Sequence, residues 1–210
     1  IANGVFSNLT EEAIYPLKQL YEKNWFIRNL HKSRAVIYFS FRNLKTIRVL
    51  ISLIYKSKQK NKIDNLRLLF NFIFMLSIKD KYKNEKKIVI LDEGIIQHIW
   101  AVEVNSECGK SYQLFKDIIE NIDLTIRVDC KVELIESRML LRKNNYRHKM
   151  FLNNIHRNSK IMDEIIEYFM SQGYLNNLIS IRSDNGDMIE KNKDYLSKKI
   201  SCLIKDNGRK

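Results

Sequence analysis

The feature that most constrains the fold of this sequence is the run Ile88-Val89-Ile90-Leu91, which two lysines precede and Asp92-Glu93-Gly94 follow. Four consecutive apolar residues, mostly β-branched and without a polar face, are typical of one strand buried by helices on both sides. The two carboxylates then fall at the carboxyl end of that strand, where open α/β sheets bind their ligands. Gly94 permits a sharp turn into the next helix. The fold class we predict is α/β, a parallel sheet flanked by helices.

Two further strands are predicted, over residues 124–128 and 178–181. The first ends at Asp129-Cys130, and the second is followed by the turn Ser183-Asp184-Asn185. Strands that alternate with helical segments favour crossover units and a parallel sheet. Because the carboxyl ends of parallel strands meet at one edge of a sheet, we expect the polar ends of all three strands to form one site.

The rest of the chain is predicted to be rich in helix. Only one proline, Pro16, and six glycines punctuate 210 residues, so we expect long helices and a single domain over 1–210. The segment 35–41 is ambiguous between strand and buried helix, and its helix-rich surroundings favour a helix. The predicted helices cover 19–30, 35–41, 44–54, 64–78 (with Asp64 as a cap), 94–104, 112–122, 131–143, 163–172 (ended by Gly173) and 188–204.

The net charge of +13 indicates a polyanionic partner such as nucleic acid, a nucleotide or an anionic membrane. The lysines are spread along the chain instead of forming one stripe, which weakens this indication. The apolar runs 49–55 and 68–78 are too short to span a bilayer and are interpreted as core faces of helices. Their basic flanks leave a contact with anionic lipid open.

Three cysteines without a Cys-x-x-Cys pair argue against a zinc site or a disulfide framework and suit a reducing cytoplasm. The segment Gly109-Lys110-Ser111 is not a phosphate-binding loop by pattern. The Walker A pattern requires a glycine five residues before Gly109, where the chain has Val104, and a preceding strand instead of a helix.

Three groups of residues together resemble P-loop kinases of the thymidylate kinase-like group. They are the segment 88–94, the pair Arg138 and Arg142 after a strand, and Ser183-Asp184-Asn185-Gly186-Asp187 before a final helix. The resemblance covers roughly residues 85–204. The family's first strand and its loop ending in Gly-Lys-Ser/Thr are missing, so we expect the chain to begin just after that loop, inside a helix at Ile1.

The resemblance implies that Asp92 orients Mg²⁺ and that Glu93 is a base or water-positioning acid beside the acceptor hydroxyl. Arg138 and Arg142 would belong to a lid over 138–150 and neutralise charge on the transferred phosphoryl group. Alternatively, the two acids only end a strand and cap the next helix, and the two arginines belong to a solvated basic face.

The resemblance also implies residues that bind the two substrates. Gln97 and Trp100 would face the acceptor, Arg147 would belong to the lid, and Ser183, Asp184 and Asn185 would lie beside the adenine. The alternatives are a tryptophan in the core, a basic surface loop, and an ordinary turn.

The function we expect is transfer of a phosphoryl group from ATP, with Mg²⁺, to a small acceptor of the nucleoside or nucleotide class. The 210-residue chain, without a phosphate loop, is expected to be inactive itself. The alternative is a non-catalytic basic nucleic-acid-binding domain, favoured by the net charge and by Tyr146, Arg147 and Lys149. A membrane-associated helical regulator using 49–78 is a third interpretation. The acceptor and the oligomeric state stay open.

Overall fold

The structure is a computed structural model that describes residues 13–14, 16–17, 20, 22–59, 62–85, 88–91, 94–119, 122, 124–140, 154–184 and 186–207. The chain divides into two compact units. The strand unit comprises Ile1–Ala13, Asp123–Asn158 and Asn177–Lys210, and the helical unit comprises Ile14–Ile122 and Ser159–Asn176. The single domain over 1–210 stays a prediction, because compact units can be parts of one domain.

Helices dominate the described residues, as predicted. The helices are α1 Trp25–Arg42, α2 Leu44–Lys56, α3 Lys62–Tyr82, α4 Ile95–Val104, the 3₁₀ helix Ser111–Phe115, α5 Val132–Leu140, α6 Ile155–Ser171 and α7 Gly186–Asn207. The strands are β1 Ala13–Ile14, β2 Ile88–Val89, β3 Thr125–Asp129 and β4 Leu178–Arg182. None of the helices in the described ranges has the length and apolar content needed to cross a bilayer.

The core of the helical unit is built around α3, which packs against α1, α2 and α4. Five consecutive residues of α3, Phe72–Leu76, are buried. A helix that is apolar on all sides must be covered on all sides, which explains its central position. The Phe72 ring stacks on Phe115 with 5.4 Å between centroids. The interpretation of 68–78 as a core helix is therefore confirmed, and so is the helical conformation of 35–41, within α1.

Two predictions for the helical unit are wrong in detail. The helix α3 begins at Lys62, so Asp64 lies in its first turn and is not its cap. The predicted helix over 112–122 is only a 3₁₀ helix of five residues followed by turns. Gly109 and Lys110, directly before it, both adopt the left-handed conformation, with φ of 58° and 57°.

The strand unit contains a parallel pair. Strands β3 and β4 pair in parallel from Thr125 opposite Leu178 to Asp129 opposite Arg182, which confirms the prediction for these two strands. On β4, Ile179 and Ile181 are buried while Ser180 and Arg182 are exposed. This alternation shows that one face of the strand is covered, and α7 packs against it.

The predicted three-stranded sheet is not found among the described residues. There β2 pairs with β1 in a separate two-stranded sheet. Residue Leu91, after β2, packs with α3 residues Phe74 and Met75 in a cluster of the helical unit. The parallel sheet is therefore smaller than expected, and the P-loop fold stays a proposal.

The helix α6 ends where Gly173 predicts. The Gly173 N–H donates to Met170 O at 3.0 Å and the Tyr174 N–H to Phe169 O at 2.9 Å, which is the Schellman arrangement. Gly173 has φ of 74°, a conformation that residues with a Cβ rarely adopt. The helix begins at Ile155, earlier than the predicted residue 163, because the apolar period extends back to that point.

Candidate functional site

The carboxyl ends of β3 and β4 are held together by backbone and side-chain hydrogen bonds. The Ser183 N–H donates to Asp129 O at 2.9 Å and continues the strand ladder by one residue. The Cys130 thiol contacts Ser183 O at 3.5 Å. Ser183 is 3% exposed, so it is part of the packed end of the strand pair.

Asp184 stabilises the start of the helix after β3. Its Oδ1 accepts the N–H of Lys131 at 3.0 Å, one residue before α5 begins at Val132. A carboxylate at a helix N-terminus satisfies an unpaired donor and interacts favourably with the helix dipole. Asp184 therefore has a structural role that the turn interpretation did not specify.

A cavity of about 290 Å³ opens to solvent at this end of the strand pair, lined by Asp129, Cys130, Lys131, Arg182 and Asp184. The lining includes two carboxylates and two cationic side chains, so the charges of these groups balance. The Asp129 carboxylate is paired with Arg127 Nε at 2.7 Å. Lys131 and Arg182 are exposed, so both are accessible to an anionic ligand.

Asp129, Cys130 and Asp184 are predicted from the sequence at strand ends, whereas Lys131 and Arg182 are not among the predicted site residues. The signal for both was available, because each is the direct neighbour of a residue already singled out. An arginine can stack on a planar base and hydrogen-bond a phosphate, whereas a lysine provides a point charge. The cavity lining thus combines two cationic side chains with two carboxylates.

The other predicted site residues are distributed over the two units or lie outside the described residues. Arg138 lies in α5 of the strand unit. Gln97 and Trp100 lie in α4 of the helical unit, Gln97 exposed and Trp100 half-buried. Outside the described residues lie Asp92, Glu93, Arg142, Arg147, Asn185 and most of the lid over 138–150.

The acidic pair has described neighbours on both sides. Leu91 before it packs in the helical core, and Gly94 after it is the N-cap residue of α4, with φ of −80°. Gly94 O accepts the N–H groups of Gln97 and His98 at 3.1 and 3.3 Å. The strand Ile88–Val89 before the acidic pair and the helix that begins after Gly94 agree with the prediction, whereas Asp92 and Glu93 themselves lie outside the described residues.

The 3₁₀ helix after Gly109 and Lys110 begins at a carboxylate of the chain itself. The Glu103 carboxylate, on α4, accepts hydrogen bonds from Ser111 Oγ at 2.5 Å and from the Tyr112 N–H at 3.0 Å. Glu103 is 5% exposed and Ser111 is 4% exposed. A buried carboxylate of the chain thus binds the first two residues of the 3₁₀ helix.

His98 is a buried titratable group that the sequence did not single out as functional. It is 8% exposed on α4, and its ring lies 5.9 Å from that of Phe72. Burial, and secondarily the charge of Lys32, lower the pKa of His98 from 6.5 to about 4. It is therefore a neutral core histidine near neutral pH.

Comparison of the chain with protein-family models, with curated proteins and with solved structures gave no match. Within the described residues, no group of three or more His, Cys, Asp or Glu side chains is placed to hold a metal ion. The resemblance to P-loop kinases therefore rests on the sequence pattern alone.

Proposed function

We propose that this chain is the nucleotide-binding part of a P-loop kinase-like protein that transfers a phosphoryl group from ATP to a nucleoside or nucleotide. The observation that carries the proposal is the parallel pairing of β3 and β4, whose carboxyl ends open on a cavity with Lys131 and Arg182 in its wall. Open α/β sheets bind nucleotides at this edge.

The geometry supports an adenine or phosphate contact more directly than a catalytic step. The guanidinium of Arg182 offers a plane for a base and two donors for a phosphate, and Lys131 offers a second positive charge. Asp184 is engaged by the start of α5, so its role toward a ligand would be to position Lys131.

The proposed roles of the remaining residues come from the resemblance. Asp92 would hold Mg²⁺, Glu93 would accept a proton, and Arg138 and Arg142 would neutralise charge in the transition state. Mg²⁺ in kinases is held by one or two carboxylates together with substrate phosphates and water, so a single aspartate suits it. When bound, the ion would screen the charge of the phosphates.

Cys130 provides a direct test, because it is half-buried in the cavity wall and the other two cysteines, Cys108 and Cys202, are exposed elsewhere. In the Cys108→Ser/Cys202→Ser variant, we expect ATP and ADP to slow the reaction of Cys130 with a thiol reagent in a saturable way. The matched control is the Cys130→Ser/Cys202→Ser variant, in which Cys108 should react at the same rate with and without nucleotide.

Equal reaction rates of Cys130 with and without adenine nucleotides would contradict the proposed binding site. Transfer itself is tested with a chain extended upstream of Ile1, using ATP, Mg²⁺ and a panel of nucleosides and nucleoside monophosphates. An extension without a Gly-Lys-Ser/Thr loop would argue against a kinase.

The second candidate, a basic nucleic-acid-binding domain, is favoured by the net charge of +13. Its aromatic and basic residues Tyr146, Arg147 and Lys149 lie outside the described residues. An association constant for an oligonucleotide that falls steeply as the salt concentration rises would support this candidate over the kinase.

A further inference from the structure

Most of the net positive charge of the chain belongs to one segment, which contains no acidic residues. Between Glu22 and Asp64, residues 23–63 contain 11 Lys and Arg and no Asp or Glu, whereas an even distribution would place about five acids there. The other 169 residues contain 26 Lys and Arg against 24 Asp and Glu. Nearly all of the net charge of +13 thus belongs to the segment that forms α1, α2 and the start of α3.

The same segment exposes most of the large apolar side chains that contact water. Of sixteen exposed large hydrophobic residues among those that the structure describes, twelve lie between residues 25 and 66. They are Trp25, Phe26, Ile27, Leu30, Ile37, Tyr38, Phe41, Leu44, Ile51, Tyr55, Ile63 and Leu66. Exposed apolar groups scattered singly need no explanation, but twelve of them within one segment favour an interaction surface there.

Four of these side chains form a stripe on α1, on the side of the helix opposite its buried face. Phe26, Leu30, Ile37 and Phe41 follow one another at intervals of four, seven and four residues, which places them on one side of a helix. Their exposed fractions are 69%, 51%, 56% and 77%, whereas Phe39 on the opposite side is 7% exposed. The helix is thus apolar on two faces, only one of which packs in the core.

The helix α2 repeats this arrangement. Leu44, Ile51 and Tyr55 share a face and are 54%, 48% and 80% exposed, while Leu50 and Leu53 on the other face are buried. An exposed arginine lies within each stripe, Arg34 on α1 and Arg48 on α2. The exposed apolar residues and exposed cations of α1, α2 and the first two turns of α3 are named here the basic apolar surface.

We propose that the basic apolar surface docks on an anionic lipid bilayer, with its apolar side chains in the headgroup and upper acyl region and its cations against the lipid charges. Helices that bind in this way combine a basic polar face with Trp, Phe and Leu on the other face and lie in the plane of the interface. Each Lys or Arg close to such a surface adds attraction, and tryptophan and tyrosine rings favour the interfacial depth.

Charge argues against a second copy of the chain as the occupant. Two copies that met through this surface would bring two segments of net charge +11 together. Like charges placed against each other across an interface disfavour association. An anionic occupant, in contrast, gains attraction from the same cations.

Side-chain chemistry favours lipid over nucleic acid or an acidic protein. Nucleic-acid surfaces use planar groups for stacking, but seven of the twelve exposed apolar residues are isoleucine or leucine. A protein partner would need a pocket for each protruding side chain, such as Phe41 at 77% and Tyr55 at 80% exposed. A fluid acyl layer accepts protruding side chains without preformed pockets.

Vesicle binding tests the proposal with the 210-residue chain. We expect the protein to sediment with vesicles of equimolar phosphatidylserine and phosphatidylcholine, to stay in solution with pure phosphatidylcholine, and to be released by salt. In the Trp100→Phe background, Trp25 is the remaining tryptophan, and its emission should shift to the blue only with the anionic vesicles.

Two pairs of matched variants separate charge and apolar contributions. Arg34→Glu/Arg48→Glu should weaken binding by about 30-fold or more, whereas Lys160→Glu/Lys198→Glu, with the same net charge but on α6 and α7, should not. Ile37→Ser/Phe41→Ser should weaken binding by about tenfold or more. Met170→Ser/Tyr195→Ser, also at exposed apolar positions, should leave it unchanged. All four substitution pairs are at exposed positions, and circular dichroism checks that each variant is folded.

Several results would overturn the proposal. Absence of vesicle binding, equal binding to neutral vesicles, or equal losses in the variants and their controls would each do so. It would also fail if sedimentation equilibrium showed a dimer that Ile37→Ser/Phe41→Ser dissociates, because a second copy would then cover the surface. Tighter, equally salt-dependent binding to an oligonucleotide that competes with the vesicles would assign the surface to nucleic acid instead.

Discussion

Replacement of His98 by leucine should remove one acid-sensitive contribution to the stability of the helical unit. The imidazole is 8% exposed, and its Nε2 has no hydrogen-bond partner among the described residues. Burial and then the charge of Lys32 lower the pKa of His98 from 6.5 to about 4 in the folded protein. The unfolded chain therefore binds a proton at His98 at a higher pH than the folded chain does.

The sign and size of the effect follow from this difference. Between about pH 6.5 and about pH 4 the unfolded state binds more protons at His98, so the free energy of unfolding decreases as the pH falls through this window. His98 makes its full contribution to the free energy of unfolding above about pH 6.5, and this contribution is lost below about pH 4. A difference of this size between the two pKa values corresponds to about 3 kcal/mol, an order-of-magnitude value.

Urea unfolding followed by circular dichroism, at a series of pH values across the window, measures this contribution. The loss of stability on acidification should be smaller in His98→Leu than in the wild type, by about 3 kcal/mol at the acid end. His156→Leu, an exposed histidine on α6, is the matched control and should retain the wild-type acid sensitivity. Parallel curves for wild type and His98→Leu would refute the reasoning, because the buried imidazole would then not be the group that titrates.

Two further predictions concern stability. Gly173→Ala should destabilise the protein by about 1 kcal/mol in urea unfolding because Gly173 has φ of 74°. Gly173→Asn, which introduces a residue that adopts this conformation more readily, should cost clearly less, and equal costs would exclude backbone conformation as the cause. Glu103→Ala should cost about 3 kcal/mol because it leaves the Ser111 hydroxyl and the Tyr112 N–H without their buried acceptor, and Glu103→Gln, which keeps a side-chain oxygen, should cost less by thermal or urea unfolding. An effect of Glu103→Ala below that of Glu103→Gln would contradict this assignment.

The local elements were predictable because the information for them lies within short stretches of sequence. The alternating run at 178–181 and the helical spacing over 44–54 and 64–78 gave elements within a few residues of the observed β4, α2 and α3. Gly173 also ends α6 for a local reason, because a glycine readily adopts the left-handed conformation that terminates a helix.

What was missed depends on contacts between distant residues. The apolar period over 112–122 predicted a helix, but the Glu103 side chain binds the first two residues of the 3₁₀ helix at this point, and nothing local signals that contact. The run at 88–91 predicted a strand, but its partner strand is β1, far away in the chain, instead of β3 or β4. Sheet partners are chosen by tertiary packing, which strand propensity does not report.

The basic apolar surface is indicated only by two properties of the sequence taken together. Lysines and arginines occur over the whole chain but are denser in residues 23–63, with 11 in 41 residues against 26 in the other 169, and the same stretch between Glu22 and Asp64 contains no acids. The apolar residues of 49–55 were interpreted as one core face, yet Leu50, Leu53 and Ile54 are buried while Ile51 and Tyr55 are exposed.

An apolar residue on the outer face of a packed helix adds nothing to the core and exposes its surface to water. Such residues at regular helical spacing on both α1 and α2 indicate that the outer face of each helix contacts something other than water. Cations without neighbouring acids repel one another, which also destabilises the segment in isolation. Both costs are offset by the same kind of partner, one that is apolar inside and negatively charged at its surface, and an anionic bilayer has this structure.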